Sequence, residues 1–167
     1  MIAILDTDYA DPQGHCACVV ADDWTSALSA HLVSRILDNI APYQPGAFYQ
    51  RELPCLLHTL ELLPCPVDTL IIDGYVWLGD NRPGLGHHLY EALKNKVPIV
   101  GIAKTYFEGV DRVAQPLLRG SSQNPLWITA IGCDLTEATR AVASMAGEHR
   151  LPTLVKLADQ ICRSWPT

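Results

Sequence analysis

MIAILDTDYADPQGHCACVVA (Met1–Ala21) decides the fold, because two apolar segments flank a short sequence that has the composition of a turn. The run MIAILDTDY is apolar until it ends in acidic residues, which predicts a buried strand. DPQG is typical of a turn, and HCACVVA returns as a second apolar strand. The sequence therefore predicts an antiparallel hairpin at the start of the chain, with Asp6 near the end of its first strand.

The segment after this hairpin, SALSAHLVSRILDNI, fits two kinds of secondary structure. Its apolar residues recur every four positions, as on one face of a helix, at Leu28, Leu32, Ile36 and Ile40. With Ala30 added, the same residues fit the alternating face of a strand. Periodicity alone leaves both interpretations open.

Further along the chain, short apolar runs alternate with amphipathic segments. The predicted strands are VDTLIIDG (67–74), VPIVGIAK (97–104) and PLWITAIG (125–132). The predicted helices are LPCLLHTLELL (53–63), GLGHHLYEALKNK (84–96), DLTEATRAVASMAGE (134–148) and TLVKLADQICRSW (153–165). This alternation predicts an α/β fold, and the length fits one domain over residues 1–167.

Three local features refine this assignment. Pro64 and Pro66 are expected to stop the first predicted helix, because proline lacks the amide that a helix needs. Asp134, followed three residues later by Glu137, has the pattern of a capping box that uses aspartate. VDRVAQPLLRGSSQN (110–124) lacks a clear period and is predicted to be a surface loop.

Composition narrows the class of protein. Half of the residues are hydrophobic and the formal net charge is −6, which disfavours both disorder and a passive coat for nucleic acid. No apolar run is long enough to span a bilayer, and no basic segment precedes the first strand, so we expect a cytoplasmic protein without a membrane partner. The six cysteines form no CxxC pair, which argues against a zinc site.

Acidic residues follow two of the apolar strands. Asp6 and Asp73 lie near the C-terminal ends of their predicted strands, where open α/β sheets bind ligands. Either aspartate alone also suits a turn or a helix cap. Together with Glu52, they indicate a site for a hard divalent cation such as Mg²⁺. Lys104, at the end of the next strand, would add positive charge towards a phosphate, although a strand-end lysine is also a common surface residue.

The segment PYQPGAFYQRELP (42–54) combines prolines and aromatic residues directly before Glu52. From composition alone, Tyr43, Phe48 and Tyr49 suit core aromatics under a rigid turn. The alternative is an aromatic wedge that unstacks a nucleic acid beside the cation site.

The ordered set of motifs resembles the endonuclease V family over nearly the whole chain. LDTDY is similar to its first catalytic strand, and IIDGY is similar to the segment with its second metal-binding aspartate. PYQPGAFYQRELP is similar to its Pro-Tyr-x-Pro loop followed by Phe-Arg-Glu-x-Pro. GLGHHL resembles Gly-Leu-Ala-x-His-Leu, VPIVGIAKT resembles Val-Pro-x-Ile-Gly-Val-Ala-Lys-Ser, and LPTLVKLAD resembles Leu-Pro-x-Pro-Thr-Arg-x-Ala-Asp.

The resemblance implies a ribonuclease H-like mixed sheet, an antiparallel three-strand meander followed by parallel strands, flanked by helices. It therefore favours a strand for SALSAHLVSRILDNI. It also implies a metal-dependent endonuclease that cleaves DNA or RNA, inosine-containing strands among them, one nucleotide beyond inosine on the 3′ side. Mg²⁺ is the implied cofactor, with Mn²⁺ as a substitute, and we expect a monomer.

The resemblance also implies a role for particular residues. The catalytic set is Asp6, Glu52, Asp73, Lys104 and Asp159. The four acids of that set, Asp6, Glu52, Asp73 and Asp159, are the implied metal ligands. The implied substrate-binding residues are Pro42, Tyr43, Gln44 and Pro45 in the wedge, and Gly74, Gly84, Leu85 and His88 around the base.

The chain departs from the family pattern on the side that recognises the base. It begins at the first strand, so the domain is expected to lack the family's N-terminal helix. Tyr75 and Val76 replace the His and Gly of Gly-His-Gly, and Gly79 replaces the His of His-Pro-Arg. Because a β-branched residue is excluded from the positive-φ conformations of glycine, Val76 predicts an altered turn. We therefore expect weak discrimination of inosine from adenosine or guanosine, unless the backbone amides of Gly74 and Gly84–Leu85 still form the pocket.

These departures also motivate other hypotheses. The main alternative is a divergent relative that binds nucleic acid or a protein without cleavage, although a pure binder has no use for four clustered acids. An unrelated hydrolase with Cys133 as nucleophile is a more distant alternative. Trp77 suits either a place in the base pocket or a cap on the core. His87 and His88, as adjacent helix residues, are not expected to share a face.

Overall fold

The computed structural model describes residues 1–166. Its strands are β1 (Ile2–Ala10), β2 (Gln13–Ala21), β3 (His31–Leu37), β4 (Thr69–Asp73), β5 (Trp77–Gly79), β6 (Arg82–Pro83), β7 (Ile99–Ala103), β8 (Gln115–Leu117) and β9 (Leu126–Ile131). Its helices are α1 (Tyr49–Leu60), α2 (Leu85–Ala92), α3 (Leu135–Ser144) and α4 (Thr153–Cys162), with a 3₁₀ turn at Val110–Arg112. The main sheet has the order β3-β2-β1-β4-β7-β9-β8, and β5 and β6 form a separate two-stranded ribbon.

The first three strands form the predicted antiparallel meander. β1 pairs with β2 in the register that places Asp6 opposite Ala17, and β2 pairs with β3. The segment SALSAHLVSRILDNI therefore contains a strand, as its alternating pattern indicated, and not a helix. β3 is an edge strand, and Leu32 on it stays 46% exposed, which explains why its sequence shows no clear buried face.

The next strands extend the sheet in parallel. β4 lies parallel to β1 and β7 lies parallel to β4, as predicted, so the C-terminal ends of β4 and β7 are level with the middle of the longer strand β1. β9 runs antiparallel to β7, and β8 pairs antiparallel with β9. The segment 110–124 is thus not a plain loop: it contains the 3₁₀ turn and β8, and it buries Val110, Ala114 and Arg119.

The helices cover both faces of the main sheet. α3 and α4 pack on one face over a core that includes Ile4, Ile71 and Ile102. α1 and α2 pack on the other face over a core that includes Leu5, Ile72 and Ile99. Successive side chains of a strand point to opposite faces, so each buried strand serves both cores and reads as a continuous apolar run.

Helix boundaries follow local signals in part. The Asp134 carboxylate accepts a hydrogen bond of 2.9 Å from the Glu137 amide, which confirms the predicted cap of α3. α1 begins at Tyr49, one turn earlier than predicted, and ends at Leu60, before Pro64. The early start places Glu52 in the first turn of α1.

Two arginines, the buried Arg119 and the partly buried Arg150, attach the segment before α4 to the rest of the sheet. Arg119 is 7% exposed, and its guanidinium donates to the carbonyl oxygens of Met145, Gly147, His149 and Arg150. The Arg150 guanidinium donates in turn to the carbonyl oxygens of Lys104, Asn124 and Pro125. Buried carbonyl groups left without such donors would cost free energy, so this clamp of Arg119 and Arg150 fixes α4 relative to the end of β7.

Candidate active site

The parallel strands bring three charged side chains to one edge of the sheet. Leu5 is the last residue of β1 that pairs with β4, and Asp6 follows it directly. Asp73 is the last residue of β4, and Lys104 follows the last residue of β7. Asp73 and Lys104 thus lie at strand ends as predicted, whereas the prediction for Asp6 is wrong: it lies in the middle of β1, which continues to Ala10, and is level with the end of β4.

Lys104 forms ion pairs with three carboxylates. Its Nζ lies 2.9 Å from an Asp73 oxygen, 3.5 Å from an Asp159 oxygen and 3.9 Å from an Asp6 oxygen. Asp159 comes from α4, and it also accepts a hydrogen bond of 3.0 Å from Nε of Arg163. Burial disfavours the charged form of Lys104, but the carboxylates outweigh this effect and raise the pKa of the ammonium.

Glu52 joins this cluster from the other face of the sheet. It is 5% exposed, and burial, together with repulsion from Asp6 and Asp73, raises the pKa of its carboxyl group to about 8. Burial and the charge of Asp73 likewise raise the pKa of Asp6 well above its usual range. Burial also acts against the carboxylate of Asp159, but Arg163 and Lys104 outweigh it and lower the pKa of this residue.

The cluster fits a divalent cation. Three carboxylates pair with Lys104, and Glu52 lies close enough to Asp6 and Asp73 for their charges to raise its pKa. Oδ2 of Asp6 is buried and has no hydrogen bond within residues 1–166, with the Lys104 ammonium 3.9 Å away. A buried anionic oxygen without a partner is costly, and carboxylate oxygens are the ligands that hard divalent cations prefer. All five residues of the predicted catalytic set are therefore gathered at one place.

A cavity of about 620 Å³ opens beside the acidic cluster. Glu52 and Asp73 form part of its lining, and most of the rest is aromatic or apolar. The aromatic and imidazole rings that line the cavity are Tyr43, Phe48, Tyr49, Tyr75, Phe107 and His88. Flat rings beside an acidic centre suit the stacking of nucleic-acid bases.

The predicted wedge lies at the mouth of this cavity. Pro42, Gln44 and Pro45 are exposed, and Tyr43 is 63% exposed. The ring of Tyr43 contacts Phe48 edge-on, with 6.5 Å between the ring centroids. Tyr43 is therefore not a core aromatic, and the loop presents its ring to solvent.

The segment after Asp73 retains its glycine turn. Gly74 has φ +126°, a conformation that L side chains rarely adopt. Val76 is fully buried and lies outside the positive-φ region, as expected for a β-branched residue. The amides of Gly74 and Gly84 donate to the carbonyls of Ile102 and Val76, so neither is free to bind a base.

Relative to the family pattern, this chain has a larger residue at Val76 and a smaller one at Gly86, and the two changes compensate each other. A Cβ atom at Gly86 would lie 2.6 Å from Cγ2 of Val76 and 2.9 Å from its Cα, which is too close for real atoms. The family pattern has Gly at the first position and Ala at the second, whereas this chain has Val76 and Gly86. The valine methyl group therefore occupies the space that the alanine would use.

Other groups of residues lie near the cavity. The side chains of His87, His88 and Glu91 approach within 4.8 Å of one another, so the expectation that the histidines point apart is wrong. Both imidazole rings pack against aromatic rings. The ring of His88 stacks on that of Tyr49, with 3.7 Å between the centroids, and the centroids of the His87 and Trp77 rings are 4.5 Å apart. Trp77 is not part of the lining of the aromatic cavity.

The surroundings of Cys133 disfavour the hypothesis of a hydrolase that uses this cysteine as nucleophile. Cys133 is exposed as a whole, but partial burial of its thiol, together with Asp134 and Glu137, raises the pKa of that thiol, which disfavours a nucleophile.

Sequence reasoning missed Arg82, Phe107 and Arg163. No motif pairs these residues, because Arg82 lies on β6 and Phe107 on a separate loop, and they meet only in the fold.

The fold and its acidic centre define a ribonuclease H-like protein. The chain belongs to the endonuclease V family, whose model matches residues 1–160. Endonuclease V from Streptomyces avermitilis is 30% identical over 142 residues, a match that covers 73% of this chain and 61% of that relative. The match thus spans less than two thirds of that relative.

Solved structures agree with this assignment. A crystal structure of endonuclease V from Streptomyces avermitilis superimposes with a TM-score of 0.76 at 26% identity, covering 97% of this chain and 79% of that one. Endonuclease V from Ciona intestinalis, in complex with DNA containing an inosine, has a TM-score of 0.80 at 18% identity and covers 97% and 83%. Within residues 1–166, none of the helices combines the length and apolar character needed to cross a membrane.

The raised pKa values predict how pH and metal affect stability. A carboxyl group with a raised pKa in the fold binds its proton more tightly there than in the unfolded chain. The stability of the metal-free protein should therefore fall as pH rises from about 4 towards about 8, the pKa of Glu52. Because Mg²⁺ binds ionised carboxylates, we expect it to raise Tm more at about pH 8 than at about pH 5.5.

Differential scanning calorimetry at the two pH values, with and without Mg²⁺, measures this effect. The double variant Asp6→Asn, Glu52→Gln should lose the difference, whereas Asp22→Asn, an exposed acid outside the cluster, should keep it. An equal Tm gain at both pH values in the wild type would contradict the assignment.

The Val76–Gly86 exchange predicts strong coupling between the two positions. Gly86→Ala should destabilise the protein by about 1–3 kcal/mol through overpacking, and Val76→Gly by about 2 kcal/mol or more through loss of a buried side chain. The double variant should be less destabilised than the sum by about 1 kcal/mol or more, since the alanine then has room. Urea unfolding measures all three free energies.

Val142→Ala provides the control, because Val142 is buried in the core on the opposite face of the sheet. Its effect should add to that of Gly86→Ala. If Val76→Gly and Gly86→Ala are also additive, the two positions do not share space as described.

Proposed function

We propose that the protein is a divalent-metal-dependent endonuclease that cleaves phosphodiester bonds in nucleic acid. The observation that carries this proposal is the group of three carboxylates paired with Lys104, with Glu52 beside them, next to an aromatic cavity. Membership of the endonuclease V family supports the same reaction. The retained acids disfavour the alternative of a relative that only binds nucleic acid or protein.

In this proposal the cation is Mg²⁺, with Mn²⁺ as a substitute. Its ligands would be the four acids Asp6, Glu52, Asp73 and Asp159. When bound, such a cation supplies positive charge that polarises the scissile phosphate. Lys104 keeps its proton because its pKa is raised, so its ammonium adds a fixed positive charge for the charge that develops on phosphorus-bound oxygens. The aromatic cavity holds the base next to the cleaved bond.

The proposed substrate is DNA or RNA, with inosine-containing strands included. The Ciona relative was crystallised with DNA that contains an inosine, which supports this class of substrate. By analogy with the family, cleavage would fall one nucleotide beyond the recognised base on its 3′ side. The exposed ring of Tyr43 is placed to enter the stack and free that base from a duplex.

A cleavage assay with Mg²⁺ or Mn²⁺ tests the reaction. Labelled DNA and RNA strands, each with and without one inosine, should be cut by the wild type. Asp73→Asn should lower the rate by about 100-fold or more, because it removes a ligand and a partner of Lys104. Asp22→Asn is the matched control and should leave the rate unchanged.

Circular dichroism checks that Asp73→Asn is folded. Absence of cleavage of every strand by the wild type, with either cation, would overturn the proposed function. Equal activity of Asp73→Asn and wild type would overturn the assignment of the metal site.

The wedge predicts a difference between duplex and single strands. Tyr43→Ala should lower the cleavage rate of duplex about tenfold or more relative to single strands, because base–aromatic stacking is worth about 1–3 kcal/mol. Tyr43→Phe keeps the ring and should behave like the wild type. Since Tyr43 is 63% exposed, Tm should change little. An equal loss on duplex and single strands would show that the ring does not separate strands.

A further inference from the structure

Arg82 is an arginine in the lining of the aromatic cavity with no partner for its N–H groups. It lies on β6, and its guanidinium carbon is 5.2 Å from the centroid of the Phe107 ring. Within residues 1–166 it makes no hydrogen bond or ion pair, whereas nearby Arg112 pairs with Asp80 at 3.3 Å. Stacking on Phe107 uses the face of the guanidinium and leaves its in-plane donors available.

The other side-chain donors of the cavity are engaged or can also accept. The amides of Gly74 and Gly84 are bound to carbonyl oxygens, and the Tyr75 hydroxyl donates to the Thr105 carbonyl at 2.6 Å. Hydroxyl and imidazole groups, such as those of Tyr43 and His88, can donate or accept, so they do not choose between a keto and an amino group. Arginine donates only, and it therefore selects for acceptors.

We propose that Arg82 determines base specificity by donating to the O6 and N7 atoms of a 6-oxopurine in this cavity. This inference rests on the proposed function and names its substrate class. Hypoxanthine and guanine both present two acceptors on that edge, which match the two-pronged guanidinium. Adenine presents an amino donor in place of O6, so one N–H of Arg82 would face another donor.

This assignment changes the specificity expected from sequence. Strands with inosine and strands with guanosine should be cleaved at similar rates, because Arg82 would donate to the O6 and N7 atoms that both bases have. Adenosine should be rejected. The discrimination proposed here depends on the side chain of Arg82 and not on the turn at Gly74 and Val76.

A phosphate is the other group that an arginine fork binds well. A phosphate contact would position the strand but carry no information on the base. The two roles therefore give different results when only the base is changed. The place of Arg82 in the lining, above the Phe107 ring, favours the base.

The experiment uses matched single strands that differ at one central base: hypoxanthine, 7-deazahypoxanthine, guanine or adenine. Cleavage rates and dissociation constants by fluorescence anisotropy are measured for the wild type, Arg82→Ala, Arg82→Lys and Arg112→Ala. The wild type should favour hypoxanthine and guanine over adenine by about 5- to 150-fold, as expected for one bidentate contact. Loss of N7 in 7-deazahypoxanthine should remove part of that preference.

Arg82→Ala should bring the three natural bases within about threefold of one another, a loss of the bidentate contact. Arg82→Lys should keep part of the preference, because lysine also donates only but lacks the planar fork. Arg112→Ala should keep the wild-type ratios. An equal weakening on all strands in Arg82→Ala would identify a phosphate contact and overturn the proposal.

Two further outcomes would also overturn it: unchanged base ratios in Arg82→Ala, or a wild-type preference for hypoxanthine over guanine of about 100-fold, beyond what a shared edge allows. Failure of the proposed function is distinguishable, since it appears as absence of cleavage on every strand. In that case the dissociation constants still test Arg82. Because Arg82 is exposed, its variants should melt like the wild type.

Discussion

The attraction between the Lys104 ammonium and the carboxylates of Asp73, Asp159 and Asp6 is the interaction on which the site depends. Four acidic groups gathered at one sheet edge repel each other, and burial increases the cost for Asp6 and Glu52. One lysine offsets part of this cost and permits the chain to fold with the acids in place. The remaining excess of negative charge is what makes the site attract a divalent cation.

The acidic centre and the base cavity obey different constraints. The acids lie on sheet strands and on helices that pack over both faces of the sheet, so their positions follow from the core. The cavity is lined in part by connecting segments, where one change can be offset by another. The buried residues Val76 and Gly86, next to the lining residues Tyr75 and Leu85, show such an offset, because the two share the space of a single side chain.

The sequence predicted the parts of the molecule that depend on local pattern. Asp73 and Lys104 follow apolar strands and Asp6 follows an apolar run within β1, so their closeness could be inferred from the chain alone. Glu52 could be added because it follows the proline-rich segment, whereas only the resemblance to a family assigned Asp159 to the site. The direction of β9 and the pairing of β8 were not predictable, because hydrophobic period says nothing of strand orientation. The contact between Arg82 on β6 and Phe107 on a loop forms only in the fold, and no motif records it.

The clamp of Arg119 and Arg150 has a consequence for how such proteins diversify. It joins the segment before α4 to the carbonyl of Lys104, while the hairpin of β5 and β6 takes no part in it. Mutation can therefore reshape the hairpin without displacing Asp159 or Lys104. Descendants of one ancestral hydrolase would be free to exchange substrates while inheriting the same reaction centre, and substrate range would drift faster than catalysis.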